Sequence, residues 1–82
     1  MKKLQLMEYV KKFHKMIRNN NVISTEDRKA AVHLADRFIN DEGKSYSLIV
    51  LGIAFYTKGD KVNSLYIFEQ LINHLEKMIN KN

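Results

Sequence analysis

A chain of 82 residues, 45% of them hydrophobic and with three glycines and no proline, describes one small helical domain with a single core and little stability to spare. The absence of cysteine excludes disulfides and thiolate metal sites and fits a reducing cytosol. The formal net charge of +5 arises entirely within the first 20 residues, where six cations stand against Glu8 alone, while the rest of the chain is balanced.

From Gln5 to about Asn19, the residues Leu6, Tyr9, Val10, Phe13, Met16 and Ile17 recur at steps of three and four, which predicts an amphipathic first helix. Lys11, Lys12, Lys15 and Arg18 fall on its opposite side as a cationic stripe. Asn19, Asn20 and Asn21 form a plausible stop, since asparagine tolerates the left-handed conformation. Ser24-Thr25-Glu26-Asp27 is the clearest helix start: Ser24 is the cap, Asp27 is able to reach back, and the acidic residues suit the positive helix end. Ala31, Leu34, Ala35, Phe38 and Ile39 form the apolar stripe of this second helix, which ends near Asn40 to Gly43. Asp41 and Ser45 are the two candidate caps for the third.

The block Leu48 to Tyr56 is apolar almost all round, so it is expected to be covered on several sides. Helix is expected over strand here because no second strand candidate exists to satisfy its backbone. Gly59 suits the left-handed residue that ends it, and Asp60 the cap of a fourth helix whose stripe is Leu65, Phe68, Leu71, Ile72, Leu75, Met78 and Ile79. Four helices joined by short links predict an all-α, antiparallel up-down four-helix bundle spanning residues 1–82 as one domain. Leu34, Phe38, Leu51, Phe55, Phe68, Leu71 and Leu75 are its expected core.

Chemistry-bearing patterns are sparse. His14, His33 and His74 lie on three different helices, outside any ligand pattern such as His-Glu-x-x-His, and no phosphate loop, nucleophile elbow or triad is present. No catalytic residue, cofactor or metal is therefore expected. The acidic residues gather at helix starts, where capping accounts for them. The cationic stripe suits anionic lipid headgroups or phosphate, although a solvated lysine face is the commoner role of such a pattern. Nucleic acid is not favoured: no aromatic residue interleaves the cations, and no tight turn leads to an outward recognition helix. The longest apolar run is nine residues against the roughly 20 that span a bilayer, and charge interrupts the Lys2-Lys3 start, so a soluble, cytoplasmic, unexported protein is expected. Tyr46, Tyr56 and Tyr66 suit either surface positions or a binding groove.

These residues resemble the immunity proteins of the pediocin-like (class IIa) bacteriocin systems over most of the chain. The resemblance rests on the Lys-rich first helix ending Met16-Ile17-Arg18-Asn19-Asn20, Ile23 to Arg28 opening the second, Ala35 and Phe38 within it, and Phe55-Tyr56-Thr57-Lys58-Gly59-Asp60 before a last helix with Leu65, Phe68 and Leu71. It implies a basic four-helix bundle that acts inside the cell on the toxin's receptor, the membrane permease of the mannose phosphotransferase system, when bacteriocin is bound there. Under it, the stripe of Lys11, Lys12, Lys15 and Arg18 assists approach to the inner face of the membrane. Specificity is then expected around Gly59, Asp60, Lys61, Tyr66 and Met78. The second hairpin also resembles a tetratricopeptide repeat through Leu48, Leu51, Gly52, Phe55, Gly59, Ser64 and Phe68, which implies a peptide- or protein-binding adaptor. A third reading is another small helical regulator, including a phage or plasmid inhibitor. The sequence leaves the oligomeric state open.

Overall fold

The computed structural model describes residues 1–81. Four helices follow one another: α1 Lys2–Arg18, α2 Thr25–Phe38, α3 Lys44–Thr57 and α4 Lys61–Asn80. Among the described residues there is no strand. Each helix packs on two others, α1 on α2 and α4, and α3 on α2 and α4, so the ring of contacts closes into an up-down bundle about 35 Å long. The closure of α1 onto α4 is what separates this bundle from a repeat stack, in which α1 would rest on α2 and its repeat neighbour and leave a concave groove.

Local chemistry explains the three links. At the end of α1, Asn20 takes φ +59°, and the N–H groups of Asn20 and Asn21 return to the carbonyls of Ile17 and Met16 at 3.1 and 2.8 Å. At the end of α3, Gly59 takes φ +81° and the same paired return is made by Gly59 to Tyr56 and Asp60 to Phe55. Asp60 then starts α4, its Oδ1 accepting from the Asn63 N–H at 3.1 Å. Ser24 starts α2 by accepting from the Asp27 N–H at 3.1 Å, but the Asp27 carboxylate does not complete a reciprocal capping box; it turns to Lys12 on α1. Of the two candidate caps for α3, Asp41 does the work, accepting from both the backbone N–H and the hydroxyl of Ser45.

The core is built from Leu6, Val10, Phe13 and Ile17 of α1, Ala31, Leu34 and Ala35 of α2, Ile49 of α3, and Phe68, Leu71 and Leu75 of α4, closed at the links by Ile23 and Ile39. At its centre the Phe13 and Phe68 rings lie 6.0 Å apart, tilted at 58°. Beside them α3 and α4 approach closely at Gly52, whose carbonyl accepts from the buried Ser64 hydroxyl at 2.8 Å.

Three expected core residues, Leu51, Phe38 and Phe55, lie outside it. Leu51 is 42% exposed because the inward face of α3 carries Ser45, Ile49 and Gly52, half a turn away; with only α2 and α4 packed on it, α3 keeps its outer side bare. The expectation that this apolar helix would be covered on several sides fails for the same reason. Phe38 is 48% exposed because α2 ends on it and the chain continues extended at Ile39, which enters the core instead. Its ring meets His33 edge-on and carries the Lys2 ammonium 4.6 Å above its centre. Phe55 is only half-buried. The first helix also begins at Lys2, three residues before the expected Gln5.

Candidate functional site

The outward line of α1 presents Lys11, Lys15 and Arg18 at successive steps of four and three, all exposed. These three cations rise about 10 Å along the helix, a compact row able to meet a surface of anionic groups. Lys12 stands apart from them. It sits one step around the cylinder on the α2 side, where its ammonium pairs with Asp27 at 2.9 Å. The free cationic face is therefore three residues, with Lys12 fastening α1 to the start of α2.

Around the α3–α4 turn the five residues singled out by resemblance divide by role. Gly59 supplies the left-handed turn and Asp60 the helix cap. Lys61 donates to the Arg18 carbonyl at 3.3 Å and to Asn20 Oδ1 at 3.1 Å, capping the end of α1 across the bundle. Tyr66 is 57% exposed on α4, and Met78 is half-buried against the core at the other end of that helix. The structure thus places Gly59, Asp60 and Lys61 together at one end of the bundle, with Tyr66 on the side and Met78 remote. Tyr56 lies inward of the turn, where its hydroxyl accepts from the Ile23 N–H at 2.9 Å.

Sequence reasoning missed a polar cluster at the opposite end. Asp41 Oδ2 accepts from the Ser45 hydroxyl at 2.6 Å, from the Ser45 N–H at 3.0 Å and from His74 Nε2 at 2.7 Å, with the Asp41 side chain only 7% exposed. The carboxylate sits between serine and histidine, so the His74 ring bonds to Asp41 rather than to the buried hydroxyl, and the arrangement ties α4 to the start of α3. A second such tie joins His14 to Glu69 at 3.0 Å. Both histidine partners are distant in sequence, so no local spacing announces them; only the Asp41–Ser45 step of four was open to reading. Among the described residues no group of three or more His, Cys, Asp or Glu side chains could hold a metal ion.

Burial pushes the Asp41 carboxyl upward, but the hydrogen bonds from Ser45 and His74 together with the His74 charge outweigh it, and its pKa falls below the usual value. A depressed carboxyl stabilises the fold above its unfolded pKa of about 3.9, and that contribution is lost as pH falls through the lower folded value. Below about pH 4 the melting temperature should therefore drop more steeply in the wild type than in Asp41→Asn. Thermal unfolding followed by circular dichroism between pH 2 and 7 measures it, and parallel curves would remove Asp41 from the account.

Between α2 and α3 runs an open groove of about 500 Å³, bordered by Arg28, Lys29, His33, Arg37, Tyr46 and Ile53 among others. Asp36, beside Arg37 at 3.5 Å, offsets part of its positive charge. No helix among the described residues is long and apolar enough to cross a membrane. Comparison with known proteins finds no family model, no curated protein and no solved structure that matches the chain.

Proposed function

We propose that this chain is an immunity protein of the pediocin-like bacteriocin type, working in the cytoplasm at the inner face of the membrane on the toxin-bound permease of the mannose phosphotransferase system. One observation carries most weight: a closed four-helix bundle holds the chain's excess positive charge on its first helix, where the outward row of Lys11, Lys15 and Arg18 is exposed. The residue resemblance described above asks for that combination. The reading is non-enzymatic and needs no cofactor, and the buried Asp41–Ser45–His74 cluster serves it as a structural tie. Near an anionic leaflet each free cation contributes about 1 kcal/mol, so three give reversible contact rather than anchoring. Recognition of the permease then falls to the end of the bundle carrying Gly59, Asp60 and Lys61, with Tyr66 beside it.

The test is survival. Expressed in the cytosol of a sensitive bacterium, the chain should confer resistance to one or a few pediocin-like peptides without binding the free peptide. Neutralising Lys11, Lys15 and Arg18 to glutamine, and leaving Lys12 to its pairing with Asp27, should weaken binding to phosphatidylserine-containing vesicles by about two orders of magnitude. Protection should weaken with it across all the peptides resisted. Exchanging residues 59–82 with those of an immunity protein of this type should instead change which peptide is resisted. Equal killing of expressing and non-expressing cells by a panel of peptides, with folded protein present, would remove the reading.

The groove between α2 and α3, with its arginines and Tyr46, favours a second reading as an adaptor or small regulator that holds an acidic peptide. Capture of such a peptide, lost in Arg37→Glu, would promote it.

A further inference from the structure

The groove between α2 and α3 carries an imbalance of charge that nothing in the bundle answers. On its α2 wall Arg28, Lys29 and Arg37 stand against one carboxylate, Asp36, which lies beside Arg37. Among the described residues no carboxylate pairs with Arg28 or Lys29. The Arg28 side chain is also partly withdrawn from water: it is half-buried, its guanidinium lies 5.9 Å from the centre of the Tyr56 ring, a terminal nitrogen donates to the Thr25 hydroxyl at 3.0 Å, and its Nε is buried without an acceptor. A cation held this way without a counter-charge is costly, and an anion beside it offsets the cost. Nine residues of helix, about 13 Å, separate Arg28 from Arg37 at the other end, where Tyr46 of the antiparallel α3 is 41% exposed.

We propose that this groove binds a small phosphate monoester carrying a planar ring, of the nucleoside monophosphate class, with the phosphate between Arg28 and Lys29 and the ring against Tyr46. Charge selects the phosphate: three cations against one carboxylate leave an excess of two, which a monoester of about −1.5 to −2 at neutral pH matches and a single carboxylate does not. The exposed face of Tyr46 selects the ring, since every base offers a π-face to stack. Size agrees, because the groove volume of about 500 Å³ lies within the roughly 300 to 1,000 Å³ of small-molecule sites. A peptide fits less well. Both walls are helices whose backbones are bonded internally, so an extended peptide would bury its own N–H and C=O groups without partners. A helical peptide needs a series of apolar anchor sites, and the floor supplies only the half-buried Val32 and Ile53. The site is independent of the immunity reading and shares with the adaptor reading only its groove.

Titration of the nitrogen-15-labelled full chain with adenosine 5′-monophosphate, followed by amide chemical shifts, provides the test. Saturable shifts should centre on Arg28, Lys29 and Tyr46 with a dissociation constant on the order of 1 mM, and adenosine and inorganic phosphate should each bind about tenfold more weakly. Arg28→Gln should weaken the nucleotide about tenfold and leave adenosine unchanged, whereas Tyr46→Ala should weaken both by a similar factor. Lys11→Gln, on the α1 row, should change neither. No saturable shift up to about 10 mM nucleotide, shifts centred on α1, or equal losses in Arg28→Gln and Lys11→Gln would overturn the proposal. So would a hexaglutamate peptide that binds the groove more tightly than the nucleotide, a result that would keep the adaptor reading. Nucleotide binding without peptide binding would uphold the proposal and remove the acidic peptide.

Discussion

Replacing Phe68 with alanine should lower the unfolding free energy by about 3 to 5 kcal/mol, close to the whole stability of a domain this size. The ring is fully buried, lies against Phe13 of α1 and meets Gly52 of α3, so it is where three of the four helices come together. Truncation leaves a cavity lined by residues from separate helices, which a bundle of fixed geometry can only partly collapse. Urea titration followed by far-ultraviolet circular dichroism should find the variant largely unfolded without denaturant or with a midpoint near zero. An unchanged midpoint would place Phe68 outside the core.

The second large effect reverses the usual expectation for glycine in a helix. Alanine at an exposed helical glycine stabilises by up to about 1 kcal/mol. At Gly52, a built Cβ would stand 2.5 Å from Phe68 Cε1 and under 3 Å from two more atoms of the same ring. That ring is held by Phe13 and cannot swing aside, and the Ser64 bond to the Gly52 carbonyl fixes the two backbones in place. Overpacking of this kind costs about 1 to 3 kcal/mol, so Gly52→Ala should destabilise despite its helical advantage, and Gly52→Leu should prevent folding. The cause is separable. In a Phe68→Leu background Gly52→Ala should become neutral or stabilising, a coupling read from a double-mutant cycle in urea. A cost that persists unchanged would mean that the ring is not the obstacle.

These two residues also show where the sequence was readable. Four of the boundaries were legible because each is fixed by local chemistry: Ser24 and Asp60 as caps, Asn20 and Gly59 in left-handed turns. The inward stripe of α4 was legible because polar residues break its apolar pattern regularly. The rotation of α3 was not. A helix apolar on every side carries no periodicity to say which side turns inward, so Leu51 was expected in the core where Ile49 lies instead, and the small residues Gly52 and Ser45 gave no sign of a close approach. Phe38 failed for a different reason, since the extended turn at Ile39 is set by where α3 must begin. At the candidate surfaces the exposed row on α1 followed from periodicity. The pairing of Lys12 with Asp27, the reach of Lys61 to the end of α1 and the two histidine–carboxylate ties depend on how helices distant in sequence come together, which no local pattern encodes.

Closure of α1 onto α4 decides the core, and it separates a closed bundle from an open, repeat-like stack. Nuclear Overhauser contacts between the ring protons of Phe13 and Phe68 test it most directly. Strong contacts between these rings are expected, together with contacts from Phe13 to the buried methyl groups of α4. Contacts from Phe13 confined to α2 and α3, with none to Phe68, would contradict it and return the chain to an open, repeat-like stack.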